Sequence, residues 1–466
     1  MNGIRNPFSY EPWCRDKSFR AMLDTLGADI LCLQETKIQS KDLTDDMVLV
    51  AGWDSYFSFP RFKNGYSGVA VYTRLAVCQP LRAEEGITGI LDSRIRPGTP
   101  CKRLPAADVI GGYPELSDAE ASLLDSEGRA LALDFGAFVL LAVYCPASGA
   151  EDRDDFRKAF VDALFCRVRN LIGQGRHVVL VGDLNIARDE IDAADAYQLM
   201  LDAGLADWKS TPTRARLHRL LEPHPDAVMV DLCRDYFPNR RGMFTHWDVR
   251  KNKRPGNAGT RLDYVLCSSG MRDWFSEADI QEGLLGSDHC PVYAVLKPKV
   301  SFAGAERATV DILNSDGTFL DGKRQFGVAM PPAPSLSMKR FPEYSQRQSI
   351  RGMFERMAKT SRAPSNQSPQ PPSPGAAAEA AGTQAAGQRL ADAMSPLPRL
   401  RRPTPSPTPQ QPAKRQKKRG DRDPNQTSLD SFLRPTVAAA LADCTPCAAG
   451  PSASTPANAT LGAPSP

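Results

Sequence analysis

The chain has 466 residues with a net charge of +4, long enough for two or three domains or for one large domain with a tail. Its eleven cysteines are scattered without regular spacing, which excludes a disulfide framework and suits a reducing compartment. A pI near 8.4 is too mild to imply nucleic acid by itself. The lack of an N-terminal apolar segment or a membrane-length run leads us to expect a soluble, intracellular protein.

In chain order, Lys17 to Leu26 predicts a helix, with Phe19, Met22, Leu23 and Leu26 on one face and Gly27 as its C-terminal stop. Ile30 to Leu33 reads as a buried strand that ends at Gln34-Glu35. Gly65-Tyr66-Ser67-Gly68 leads into a further strand from Val69. Proline, glycine and charge between Glu84 and Pro114 predict surface loops beside the site. Phe138 to Val143 is the longest apolar run and delivers Tyr144 to its end. A second helix is expected over Asp154 to Ile172, where Phe156, Phe160, Leu164, Val168 and Leu171 share a stripe.

Val178 to Val181 is a β-branched-rich run typical of a strand buried on both faces, and Asp183 and Asn185 follow at once. Arg261 to Leu266 is a strand whose alternation turns Asp263 away from Leu262, Tyr264 and Leu266. Asp288 and His289 precede a last strand from Tyr293 to Leu296. Glu35, Tyr144, Asp183, Asn185, Asp263, Asp288 and His289 thus recur at strand ends. Converging carboxylates repel, and a divalent cation offsets that repulsion. Oxygen-rich ligation favours Mg²⁺ or Mn²⁺, since no Cys/His set has zinc-ligand spacing. A histidine beside acids supplies acid/base or charge-stabilising chemistry, and the whole set suits metal-assisted hydrolysis of a phosphate ester.

These segments resemble the exonuclease III branch of the endonuclease/exonuclease/phosphatase superfamily, and within it the abasic-site endonucleases. The matching pieces are Asn2-Gly3-Ile4-Arg5, Leu33-Gln34-Glu35-Thr36-Lys37, Gly65 to Val69, Tyr144-Cys145-Pro146, Gly182 to Asn185, Arg261 to Tyr264 and Gly286 to Pro291, spread over residues 1–298. Glu84 to Gly89, Asp125 to Arg129 and the tail resemble the second nuclear group of these enzymes. The resemblance implies an α/β four-layer sandwich of the DNase I-like type, two packed mixed sheets flanked by helices. It also implies metal ligation by Glu35 and Asp288 with Asp183, Asn185 and His289. Asp183, steadied by Asn185, is expected to activate the attacking water. His289, held by Asp263, and Tyr144 are expected at the scissile phosphate. Asn2, Arg5, Tyr66, His246, Trp247 and Leu262 are the implied DNA contacts.

The resemblance further implies a nuclear base-excision-repair nuclease, monomeric, acting on duplex DNA with abasic sites or blocked 3′ ends. Two other readings stay open: a catalytically impaired clamp-binding scaffold and a phosphatase of the same superfamily. The family's opening Trp-Asn-x-Asn-Gly is represented here only from Asn2, so a strand and an asparagine ahead of it are expected in an active form. Thr260 and His246 stand where abasic-site specialists carry aromatics, which weakens the grip on a flipped sugar and favours 3′-end trimming.

Residues 299–466 are rich in Pro, Ser and Ala and are expected to be disordered. Lys414 to Arg419 is a basic cluster of the nuclear-import kind. Gln426, Leu429, Phe432 and Leu433 fit the peptide motif that binds the sliding clamp. Cys444 and Cys447 form one pair without a second, so no zinc module is expected.

Overall fold

The computed structural model describes residues 1–149 and 151–344. The basic cluster 414–419, the motif 426–433 and the Cys444–Cys447 pair lie outside the described residues. Strands β1 (Ile30–Gln34), β2 (Trp53–Ser58) and β3 (Val69–Arg74) form an antiparallel sheet in the order β1-β3-β2. A six-stranded mixed sheet runs β4-β5-β6-β7-β9-β8, from β4 (Arg82–Glu85), β5 (Ala130–Asp134), β6 (Val139–Tyr144), β7 (Val178–Asp183), β8 (Met229–Asp231) and β9 (Asp263–Ser268). The β6–β7 pair is parallel and its connection is the long helix Glu151–Gly173. A hairpin of β10 (Phe275–Ile280) and β11 (Val292–Leu296) completes the layer of the smaller sheet. There β1 packs over β7 and β11 over β9.

Side-chain alternation builds the layers. Leu140, Ala142, Val179, Val265 and Cys267 enter the core between the two sheet layers, together with Tyr56, Val69 and Val71. Their neighbours Leu141, Val143, Leu180, Tyr264 and Leu266 face the other way, onto Phe160, Leu164, Val168 and Leu171 of the long helix. On the far side, Leu31, Leu33, Ala70 and Tyr72 meet Phe19, Met22 and Leu23 of the helix Phe19–Leu26. That helix is capped by the Ser18 side chain and closed by Gly27 in the left-handed conformation. Helix, sheet, sheet, helix is the expected four-layer sandwich.

Two expectations are corrected. The segment from Glu84 to Pro114 does not lie loosely on the surface: Glu84 takes an ion pair from the buried Arg167 of the long helix at 2.8 Å, and Ile87, Val109 and Ile110 are buried. The folded unit also does not end at 298. Beyond it, β12 (Lys299–Phe302) and β13 (Ala305–Ala308) form a hairpin. The chain then returns along the smaller sheet, where Ser337 donates to the buried Asp54 at 2.7 Å and Met338 and Tyr344 enter the outer core. Composition concealed this because a few docked apolar residues suffice where a groove already exists.

Candidate active site

Strand register assembles the centre. Tyr144 on β6 pairs with Asp183 on β7, and Asp183 pairs with Asp263 on β9. All three share the parity of residues that point between the sheets, so one row of neighbouring strand ends presents a phenol and two carboxylates to one place. Gly182 permits the approach. Its φ is +125°, and a Cβ there would stand 2.1 Å from the Val143 carbonyl oxygen.

Glu35 reaches the same place from the other sheet. Continued alternation would send it outward with Leu31 and Leu33, but its φ of +55° breaks the pattern. Its carboxylate accepts the Tyr144 hydroxyl and pairs with Lys37 at 2.9 Å. Burial opposes its charge, but the bonds from Tyr144 and Lys37 prevail and hold it below the usual glutamate range. Burial and the facing Glu35 push the Tyr144 phenol up.

Asn185, also left-handed, donates its backbone N–H to one Asp183 oxygen at 2.8 Å and its amide to the other at 3.1 Å. A second amide hydrogen goes to the Cys145 carbonyl at 2.9 Å, fixing the side chain. His289 Nδ1 lies 2.8 Å from Asp263, and its Nε2 lies 4.0 Å from Asp183. Burial disfavours the imidazolium, but Asp263 and then Asp183 outweigh it and raise the His289 pKa to about 9. Burial and the nearby Asp263 charge push the Asp183 carboxyl in the opposite sense to an ordinary buried ion pair, upward. Asp263 stays low because His289 outweighs its burial.

The other expected residues divide. Asp288 stands with His246 and His289, one donor atom of each lying within 4.8 Å of the others, and Asp183, Asp263 and His289 form a second such group. Glu35 joins neither. Tyr66 is half-buried and accepts from Arg129 at 2.7 Å and Arg153 at 3.0 Å, while the Arg129 guanidinium lies over both the Tyr66 and Tyr144 rings. Asn2 accepts from Lys37 at 2.5 Å, at the rim. Leu262 is half-buried beside Thr245, and His246 fronts a cleft with Asp195, Leu199, Lys253 and Thr260. Two are not gathered as expected. Arg5 is turned to Thr44 at 2.9 Å and to Asp46. Trp247 is only 2% exposed, covered by Arg254 and bonded to Asn257, so its ring has no face to offer DNA.

Several positioning residues escaped the sequence reading. Thr245, fully buried, accepts the backbone N–H of both Leu262 (2.9 Å) and Asp263 (3.1 Å). Arg261 is a buried clamp: it holds Asp192 (2.9 and 3.0 Å) and Asp231 (2.7 Å), and so fixes the start of β9. Arg157 donates to the Asn185 carbonyl at 2.6 Å. Lys37, Arg129 and Arg261 lay inside recognisable segments and were the three within reach of a sequence signal.

With this geometry in hand, comparison places the class. The family model described as Endonuclease/Exonuclease/phosphatase family matches residues 11–289, and the chain belongs to that family. Among curated proteins it is similar to DNA-(apurinic or apyrimidinic site) endonuclease 2 of Schizosaccharomyces pombe, with 42% identity over 299 residues, 64% of this chain and 57% of that protein. It is also similar to the exodeoxyribonuclease of Bacillus subtilis, with 31% identity over 64% of this chain and 96% of that protein. The crystal structure of the Xenopus laevis APE2 catalytic domain aligns with a TM-score of 0.59 and 28% identity, over 75% of this chain and 98% of that one. The chain spans 57 to 65% of the length of the two yeast endonuclease 2 relatives. Among the described residues no helix is long and apolar enough to cross a membrane.

Proposed function

We propose that this protein is a divalent-metal-dependent DNA-repair nuclease that hydrolyses phosphodiester bonds at abasic sites and at 3′ ends. The observation that carries the reading is the row Tyr144–Asp183–Asp263, closed by His289 and met by Glu35. Further support comes from the kind of enzyme that its relatives are named as.

The donor set fits a hard cation. Asp183 and Asp263 are register partners in a buried place, and burial first and then the Asp263 charge raise the Asp183 carboxyl, a strain that a divalent ion relieves. Glu35, Asp183, Asn185 and Asp288 are the residues that would hold it, while His289 is left to face the phosphate. When bound, Mg²⁺ or Mn²⁺ supplies positive charge to the phosphoryl oxygens. Asp183, held at both oxygens by Asn185, takes a proton from water as that water's oxygen bonds to phosphorus and the P–O3′ bond breaks. His289, kept cationic by Asp263, sets its Nε2 against the charge growing on the phosphoryl oxygens. The leaving O3′ takes a proton from solvent to become a 3′-hydroxyl and the proton held by Asp183 returns to solvent, while Tyr144, whose hydroxyl donates to Glu35, would stand beside the leaving oxygen.

His246 and Thr260 make a polar cleft where a flipped sugar would need apolar walls, which favours 3′-end processing over incision. The remaining attributes belong to the same reading: nuclear residence directed by Lys414 to Arg419, a monomeric chain, and a sliding clamp bound through Gln426, Leu429, Phe432 and Leu433. The test is a pair of duplexes, one with an internal abasic site and one with a blocked 3′ end, each with Mg²⁺ and then with EDTA. Cleavage of both, faster at the 3′ end and lost with EDTA, supports the proposal. No cleavage of either overturns it. For the tail, Phe432→Ala is expected to abolish clamp capture, and retained capture removes the motif.

A further inference from the structure

We infer that Phe62, at the tip of the loop joining β2 to β3, is a stacking platform for an unpaired or terminal base of the bound DNA. It thereby steers the protein towards ends, gaps and overhangs. This role rests on the nuclease reading, whose substrate class it narrows, and it is exercised in binding alone, away from the strand-end carboxylates.

A single exposed apolar side chain is ordinary on a protein surface. Phe62 differs in how it is held and in what surrounds it. It is 87% exposed, and its neighbours Arg61, Lys63 and Asn64 are exposed with it. The loop is pinned on either side of this tip. Before it, the Phe59 ring stacks on Phe57 at 5.7 Å, and the Arg61 N–H donates to the Ser126 carbonyl at 2.9 Å. After it, the Tyr66 hydroxyl accepts from Arg129 and Arg153, and the Lys37 N–H donates to the Ser67 carbonyl at 2.9 Å. An aromatic ring is thus presented to solvent on a short tip with fixed ends.

Cations and rings join the tip to the nuclease centre. The Lys63 ammonium lies 4.5 Å from the Tyr66 ring, and the Arg129 guanidinium lies 5.3 Å from that ring and 4.7 Å from the Tyr144 ring. Those steps keep Lys63 within about four base-pair rises of Tyr144, at ~3.4 Å each. Arg61 is shared with Glu85 at 3.3 Å, whereas Lys63 is in no ion pair among the described residues and its charge is open to a phosphate. A ring between cations suits nucleic acid, since the cations follow the backbone and the ring takes the face of a base. A phenyl ring offers no hydrogen bond, so it recognises a π-face and not a sequence. In continuous duplex both faces of every base are covered by neighbours, and freeing one requires unstacking. At a 3′ end, a gap or an overhang a face is already free, and those are the forms that Phe62 favours.

The test is binding to the full chain in EDTA of two DNAs, a continuous duplex and one whose recessed 3′ end adjoins a single-stranded overhang. Phe62→Ala is expected to weaken binding of the recessed duplex by about tenfold or more, and that of the continuous duplex by less than about twofold. Phe62→Trp should bind both as wild type does. The five native tryptophans are buried, so the exposed fluorescence that this variant adds should be shielded from acrylamide by the recessed duplex. Lys63→Gln should weaken both duplexes alike and lower the salt slope by about 0.9. Equal losses for the two duplexes in Phe62→Ala would overturn the inference. So would unchanged affinity for the recessed duplex, the result expected if Phe62 instead meets a protein, or an indole in Phe62→Trp that stays open to acrylamide in the complex. DNA cleavage in Mg²⁺ reports the nuclease reading separately: a chain that stacks on the overhang through Phe62 yet cuts no DNA sinks that reading and leaves this role standing.

Discussion

Asp183 and Asp263 face each other as register partners on β7 and β9, and the His289 ring reaches both, 2.8 Å from one and 4.0 Å from the other. Two buried carboxylates so placed are unfavourable without compensating positive charge. The fold therefore spends stability to hold the arrangement, and the residues that hold it are testable one by one.

Thr245 fixes Asp263 from behind by accepting two backbone N–H groups. Thr245→Val strands both donors in a buried place, at a cost of about 1–3 kcal/mol. We expect kcat to fall with little change in KM, since Asp263 and His289 lose alignment while DNA contacts persist. Thr245→Ser should restore most of the rate. Equal loss in both variants would show that the hydroxyl bonds are not what matters.

Gly182 is the contact point between β6 and β7. Gly182→Ala forces a left-handed alanine against the Val143 carbonyl, and we expect about 2–3 kcal/mol of destabilisation. Gly173→Ala, which meets open space at a helix end, is the control and should melt at the wild-type temperature. Matching melting curves for the two variants would refute the close approach.

Asp192 supplies a pH dependence. Burial works against its charge, but Arg261 and then Arg234 outweigh it and hold its carboxyl below the ordinary range. A depressed folded pKa stabilises above the unfolded value of 3.8 and is lost as pH falls through the folded value. Asp192→Asn should cost about 3–5 kcal/mol at neutral pH, because it leaves buried guanidinium charge uncompensated. The difference between wild type and variant should be constant from pH 5 to 8 and shrink only below about pH 4. Urea melts at stepped pH measure it, and a gap that widens on acidification would contradict the assignment.

Much of the centre was legible in the chain. The apolar runs that end in Tyr144 and Asp183, and the one that begins just after Asp263, became adjacent strands because each run is buried on both faces and must sit inside a sheet. Glu35 was visible as a residue type but not as a geometry, since glutamate gives no hint of a left-handed backbone. Trp247 was misjudged because an aromatic beside a basic loop looks the same whether Arg254 covers it or leaves it free. Thr245 carried no signal, being one threonine in a stretch without periodicity. The segment 299–344 hid behind its composition, as Leu336, Met338 and Tyr344 are too sparse to form a pattern and bury themselves only against surfaces made elsewhere.

The central claim is that Asp183 and His289 act on one phosphate. Single-turnover cleavage of a duplex with a blocked 3′ end, in Mg²⁺, measures it directly in wild type, Asp183→Asn and His289→Ala. Each variant should bind the duplex as wild type does and cut it more slowly by about 10²–10⁴-fold. Cleavage at the wild-type rate in either variant would contradict the account.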